Sequence, residues 1–194
     1  FEASNEVGGQ FNLAKVVPGK EEFHETIRYF KVQIEKTGVD LRLNTKVNRE
    51  QLEREGFDEV VIATGVVPRP LKIEGSEAPQ VLSYAQVLRG APVGRKVAVI
   101  GAGGIGFDVS EFLLKPEHQP QPQPLAEWQR EWGVDPNPNY VTEGGMSAPE
   151  VHPPIREIYL LQRKTTALGA GLGKTSGWVH RAQLKKHAVR MLRG

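Results

Sequence analysis

Cysteine is absent from this 194-residue sequence, which excludes disulfides and any thiolate-held zinc or iron–sulfur centre within the chain. The five histidines are scattered, with no pair at a convincing metal spacing, so no metal ligand set is expected. No run approaches the roughly 18 apolar residues of a membrane span, and no charged-then-apolar leader starts the chain. A soluble, cytoplasmic chain with no membrane partner is therefore expected. An excess of one charge is missing too: 25 basic and 23 acidic side chains are largely interspersed and leave a formal net charge of +2. Nothing in that balance points to a nucleic-acid partner. Internal repeats are also lacking. What is present is 39% hydrophobic residues, ample for the core of one large or two small domains.

The most informative stretch is Lys96–Val97–Ala98–Val99–Ile100, an apolar strand that runs into Gly101–Ala102–Gly103–Gly104–Ile105–Gly106. Phe107 to Leu114 then reads as helix. Glycine triplets arise by chance in a chain with 21 glycines, but strand, G-x-G-x-x-G and helix in that order form a dinucleotide fingerprint. Gly101 supplies the tight turn, Gly103 the close backbone approach, with Gly104 beside it, and Gly106 the tight helix–strand packing. The pyrophosphate would lie at the helix N-terminus. The next strand, Ile158–Tyr159–Leu160–Leu161, is delayed by a polar, Pro- and Gln-rich insert from about 116 to 156 that includes Pro116, Pro120, Pro122 and Pro124. It ends in Gln162–Arg163–Lys164. An Asp or Glu there would bind ribose hydroxyls and repel a 2′-phosphate, whereas a neutral residue followed by two cations suits NADP(H).

Elsewhere, Phe1–Glu2 reads as the tail of a strand, and Gly8–Gly9 and Pro18–Gly19 as breaks. Phe23, Ile27, Phe30 and Ile34 recur at helical spacing between Glu21 and Lys36, ahead of Gly38. Alternation of Val39, Leu41 and Leu43 with polar residues predicts a half-buried strand, and Val60–Val61–Ile62–Ala63 a fully apolar one closed by Thr64–Gly65. Ser83 is placed to cap a short helix through Val87 and Leu88. Leu168 to Thr175 invites a Walker-loop reading, but the position five residues before Gly173–Lys174 is Leu168, not glycine. A glycine-rich turn before a helix from about Trp178 to Leu192 is expected instead, with Lys174 able to reach a phosphate. His180 and Arg181 would lie near its start, and no chemistry is assigned to them. A chain that opens on Phe1–Glu2–Ala3 without Met, and closes where a strand should follow a helix, is expected to be cut from a larger protein.

The fold expected is α/β: Rossmann-like units of three-layer character, with a partial FAD-binding domain at 1–90 and a partial NADPH-binding domain at 91–194. Phe1–Glu2 with Gly8–Gly9–Gln10, Ala63–Thr64–Gly65 with Pro68, and the fingerprint at 101–106 together resemble two-dinucleotide flavoprotein reductases. Gly8 to Asn12, Pro18 to Phe23, Glu131 to Asp135, Leu161 to Lys164 and Gly171 to Arg181 are similar, nearly end to end and insert included, to bacterial NADPH-dependent 2,4-dienoyl-CoA reductases. These are iron–sulfur flavoproteins of the old-yellow-enzyme-like NADH:flavin oxidoreductase group. The resemblance implies that hydride passes from NADPH to FAD, and electrons then cross a [4Fe–4S] cluster to FMN, which reduces 2,4-dienoyl-CoA in unsaturated fatty-acid oxidation. It also implies that cluster, FMN and substrate site lie outside this chain. Alternatives are another NAD(P)H:flavin oxidoreductase, enoate-reductase-like or amine-dehydrogenase-like, or a nucleotide-binding module without redox chemistry.

By the same resemblance, Glu2 would bind the FAD adenosine ribose, a role its place at a strand end supports independently. Gln10 would contact FAD beyond the Gly8–Gly9 turn, and Val47 would meet the adenine through its backbone. Thr64 and Gly65 would let backbone approach the flavin nucleotide. NADPH would rest on Gly101, Gly103, Gly104 and Gly106, with Arg163 and Lys164 at its 2′-phosphate. Hydride transfer needs only that the two rings be held together, so no catalytic residue is assigned.

Overall fold

The apolar alternation of Lys96–Ile100 becomes strand β1, which pairs in parallel with β2 (Glu157–Gln162), itself parallel to β3 (Arg190–Arg193). The computed structural model describes residues 1–69, 71–115, 123–137 and 143–194. Pro70, Pro116, Pro120 and Pro122, and with them parts of the expected insert, lie outside the described residues. The register sets Val97 beside Ile158 and Val99 beside Leu160, whose other neighbour is Met191. Ile158 and Leu160 are buried, and helix α5 (Gly104–Leu114) lies on β1 and β2 with α7 (Gly177–Lys186) packed against it. Phe107, Val109, Leu113, Leu184 and Val189 complete this core. A parallel sheet with its crossover helix is the βαβ arrangement that the fingerprint predicts, and the fold is α/β.

The described residues fall into two compact units, 1–15 with 22–81, and 16–21 with 82–194. The residues 82–90, grouped from the sequence with the first domain, are compact with the second unit. They include α4 (Tyr84–Leu88), which Ser83 caps as the sequence led one to expect, and Gln86 returns the bond to complete a capping box.

The first unit holds α1 (Phe11–Ala14), α2 (Phe23–Lys36) and α3 (Arg49–Glu55). Helix α2 follows the predicted periodicity, buries Ile27, and ends in Gly38 at φ +71, where Gly38 N–H bonds Glu35 O and Val39 N–H bonds Ile34 O. That pair of bonds is the Schellman stop.

None of the strands expected in this unit forms, whether at Phe1–Glu2, at 39–43 or at 60–63. Glu2 N–H bonds Arg42 O, and Glu2 O accepts from Thr45 N–H. A regular parallel ladder would take the second bond from residue 44. Asn44 sits instead at φ +52, which moves the bond on by one residue and breaks the ladder. For 60–63 the reason is the lack of neighbours. Val61 and Ile62 are 88% and 83% exposed, and among the described residues no strand pairs with them. A fully apolar strand needs partners on both edges and layers on both faces.

The helix expected to run to Leu192 stops at Lys186 and gives way to β3. Ala188 adopts φ +56, its N–H bonds Lys185 O, and Val189 N–H bonds Leu184 O. This is the same Schellman geometry without the glycine that would announce it. Replacing Ala188 with glycine relieves the left-handed penalty at some entropic cost, so Ala188→Gly should raise stability by about 0.5–1 kcal/mol. Urea denaturation of the two proteins measures it; an unchanged or lowered midpoint would contradict the strain.

Candidate functional site

Gly101 takes φ +112 and donates its N–H to Leu161 O at 2.8 Å, so the loop leaves β1 tied to the end of β2. Gly103 is the extended N-cap of α5. A Cβ on Gly103 or Gly104 would meet nothing within 4 Å, whereas one on Gly106 would stand 1.8 Å from Gly101 O. The third glycine is thus required by packing, and the middle two leave backbone bare beside a helix N-terminus. Such a cradle fits a pyrophosphate.

At the end of β2, Arg163 and Lys164 are exposed and make no ion pair or side-chain hydrogen bond among the described residues. Gln162, expected to mark cofactor choice by its neutrality, turns its amide into the following turn. Nε2 donates to Lys164 O at 3.0 Å, Thr166 O at 2.5 Å and Thr166 Oγ1 at 3.4 Å. Arg193, beside Gln162 across β2 and β3, donates from Nη1 to Thr165 O at 3.2 Å.

The glycine-rich turn before α7 forms as expected. Gly169 takes φ +75, where a Cβ would lie 2.9 Å from Phe107 Cζ, and its carbonyl accepts from Arg181 Nη1 at 3.0 Å. Lys174 is exposed at the far side of this turn. His180 Nδ1 meets buried Glu111 Oε1 at 2.7 Å, which ties α7 to α5. Burial pushes the Glu111 carboxyl up, with the His180 contact opposing it. On the same helix, Asp108 pairs with Lys20 at 2.6 Å. His180 thus ties α7 to α5, and Arg181 ties α7 to the glycine-rich turn.

The insert contributes α6 (Leu125–Trp132), which the sequence reading missed. Its buried Glu131 takes Gln183 Nε2 at 2.6 Å and Gln123 Nε2 at 2.9 Å on its two carboxylate oxygens, and its backbone carbonyl accepts from Lys186 Nζ. His187 Nε2 lies 3.5 Å from Oε1, and Lys186 Nζ lies over the Trp132 ring at 4.7 Å. These contacts, the His187 one foremost, hold the Glu131 carboxyl far below the usual range. Spacing of Leu125, Trp128 and Trp132 before Gly133 carried a helix signal.

In the first unit, the residues expected at FAD gather in two places. Gln10 Nε2 donates to Val66 O at 3.3 Å, which brings the Gly8–Gly9 turn to the stretch holding Thr64 and Gly65, the latter at φ +72. Glu2 is bonded through its backbone to Arg42 and Thr45, near half-buried Val47, which precedes the Asn48 N-cap of α3. The Glu2 carboxylate accepts from Ser4 Oγ and Ser4 N–H, each at 2.7 Å, and both bonds lower its pKa. Gly8 at φ +123 would set a Cβ 2.8 Å from the Asn12 side chain, whereas Gly9 at φ +49 leaves its backbone open within 4 Å, which suits close approach of a nucleotide. Among the described residues no group of acidic, histidine or cysteine side chains could hold a metal, and no helix is long and apolar enough to cross a membrane.

Comparison with known proteins agrees with these features. The chain is 38% identical over 120 residues to a bilirubin reductase of Mediterraneibacter gnavus, covering 59% of this chain and 18% of that protein. It is 32% identical over 114 residues to a cinnamate reductase of Clostridium sporogenes, covering 58% and 17%. It thus spans less than a fifth of the length of the curated relatives it matches. A solved 2-naphthoyl-CoA reductase in complex with 2-naphthoyl-CoA superposes with a TM-score of 0.72 at 25% identity, over 99% of this chain and 23% of that one. Residues 2–194 match the pyridine nucleotide-disulphide oxidoreductase model, and the chain belongs to that FAD- and NAD(P)-binding oxidoreductase family.

Proposed function

We propose that this chain is the nucleotide-binding portion of a cytoplasmic, NADPH-dependent flavoprotein reductase of the 2,4-dienoyl-CoA reductase type. Residues 1–90 serve FAD and 91–194 serve NADPH. The observation that carries this reading is the bare cradle at Gly103 and Gly104 in the loop from β1, with two exposed cations, unpaired among the described residues, at the end of the neighbouring β2. In the whole enzyme, NADPH bound by these residues would supply hydride to FAD, and a [4Fe–4S] cluster and FMN would carry the electrons on to a conjugated acyl-CoA. With no cysteine here, the cluster is held elsewhere, as are FMN and the dienoyl-CoA site. The residues of this chain bind and orient: Gly101 to Gly106 receive the pyrophosphate, Arg163 and Lys164 the 2′-phosphate, and Glu2, Gln10, Val47, Thr64 and Gly65 the FAD. The reductase names among the relatives support a reductase, and a structural neighbour that carries a CoA thioester supports an acyl-CoA substrate.

Anaerobic addition of NADPH to the full-length flavoprotein should bleach its flavin absorbance, and 2,4-dienoyl-CoA should restore it. Bleaching without restoration would retain the NADPH assignment and remove the substrate. No bleaching by either nicotinamide cofactor would favour a nucleotide-binding module without redox chemistry. Cofactor choice has its own test. A charge-assisted contact is worth about 1.5–3 kcal/mol, less where solvent screens it. Arg163→Ala should therefore lower kcat/KM for NADPH by about tenfold and leave NADH nearly unchanged. Equal loss with both cofactors would remove Arg163 from the 2′-phosphate.

A further inference from the structure

The turn after β2 is held from two strands at once. Its three successive carbonyls, those of Lys164, Thr165 and Thr166, all accept side-chain bonds: the outer two from Gln162 Nε2 and the middle one from Arg193 Nη1. Gln162 and Arg193 stand side by side in the β2–β3 register, and Gly194 N–H bonds Gln162 O at 3.0 Å to carry the pairing one step further. The turn itself is solvent-exposed. Water could satisfy these carbonyls, so the bonds matter less for desolvation than for limiting the conformations available to the turn. Arg163 and Lys164 sit on it as adjacent like charges with no counter-anion among the described residues. A phosphate that binds between them must order two long side chains, and that cost falls when their backbone is already fixed.

We propose that Gln162 and Arg193 are positioning residues for the adenosine 2′-phosphate: they fix the turn so that Arg163 and Lys164 are presented together. The inference rests on the reading of this site as NADPH-selective. It also changes what Gln162 does, from a passive neutral residue to the donor that shapes the site. A carboxylate at 162 would face the carbonyls of Lys164 and Thr166 with no proton to give. Gln162→Glu should therefore lose NADPH without gaining NADH, contrary to a simple exchange of cofactor preference.

Calorimetric titration of the full-length flavoprotein with adenosine 2′,5′-bisphosphate and with 5′-AMP separates the phosphate from the rest of the nucleotide. Gln162→Ala should weaken the bisphosphate by about five- to tenfold through lost preorganisation and leave 5′-AMP within about twofold. Arg193→Ala should act in the same direction and more weakly. In kinetics, KM for NADPH should rise while kcat and the NADH parameters hold. Placed on an Arg163→Ala/Lys164→Ala background, Gln162→Ala should cause no further loss, because its effect runs through those two side chains. Should Gln162→Ala fold poorly, Gln162→Met keeps the length of the side chain and removes the donor. Wild-type bisphosphate affinity in either variant, or equal weakening of both nucleotides, overturns the inference while selective loss in Arg163→Ala preserves the site. If Arg163→Ala discriminates between neither nucleotide, the 2′-phosphate reading falls and this inference with it.

Discussion

Gly106→Ala should abolish pyridine-nucleotide binding and destabilise the second unit by about 3 kcal/mol or more. The added Cβ would lie 1.8 Å from Gly101 O and 2.9 Å from Gly101 C. Both are backbone atoms, so no rotamer change relieves the overlap, and either α5 slides along β1 or the loop opens. Each movement also breaks the Gly101 N–H bond to Leu161 O or strips Leu160 from its cover. Gly103→Ala is the informative companion. Its Cβ meets nothing in the protein and its φ of −85 suits any residue, so stability should stay near wild type while nucleotide affinity falls. Denaturant unfolding with nucleotide titration on the two variants reads both quantities. Wild-type binding by Gly106→Ala would refute the packing argument, and wild-type binding by Gly103→Ala would move the pyrophosphate elsewhere.

Glu131→Ala should cost about 3 kcal/mol, the range for removing one member of a buried ion pair. Glu131 is 8% exposed, and its loss leaves Gln183, Gln123 and His187 facing a void. Gln183 Oε1 and His187 Nδ1 already have no partner among the described residues, so the cluster has little spare bonding with which to reorganise. The pH dependence follows from the direction of the shift. A carboxyl held below its ordinary 4.5 in the folded state contributes fully above that value and progressively less as pH falls below it. Wild-type protein should therefore lose stability below about pH 4.5 more steeply than Glu131→Gln, which carries no charge to titrate. Identical slopes for the two proteins would show that Glu131 is not the acid-labile tie.

The parts legible in the sequence are those whose cause is local. Strand β1, the glycine loop, α5 and β2 follow from short apolar runs and spacing, and the Ser83 cap from one hydroxyl ahead of an apolar helical run. The extended segments at 39–44 and 60–63 were misjudged because a strand exists only through its neighbours. Asn44 at positive φ and the lack of pairing partners decide those cases, and alternation reports neither. The end of α7 was missed because alanine occupies a position where glycine would have signalled a stop. Helix α6 was hidden by proline and glutamine around it, although its apolar spacing was present. The role of Gln162 depends on a turn folding back over four residues, which residue type alone does not reveal. No pattern around Glu131 announces its role, because three of its partners, Gln183, Lys186 and His187, lie 52 to 56 residues later in the chain.

The register between Lys96 and Glu157 joins residues about 60 positions apart, roughly twice the length of an ordinary βαβ unit. Doubling a closed loop costs only about 0.6 kcal/mol, so the insert is cheap at equilibrium. Its burden falls on the order of events during folding: β2 cannot dock until a long, polar, proline-rich stretch has been gathered in. Glu131 shortens that search. It joins a helix that precedes β2 to one that follows it, a closure of 52 residues, after which only the span between β1 and α6 remains to be gathered before β2 meets β1. Mutations at this cluster would then slow the assembly of the sheet as well as loosen the finished protein, a signature found in refolding rates and not in nucleotide affinity.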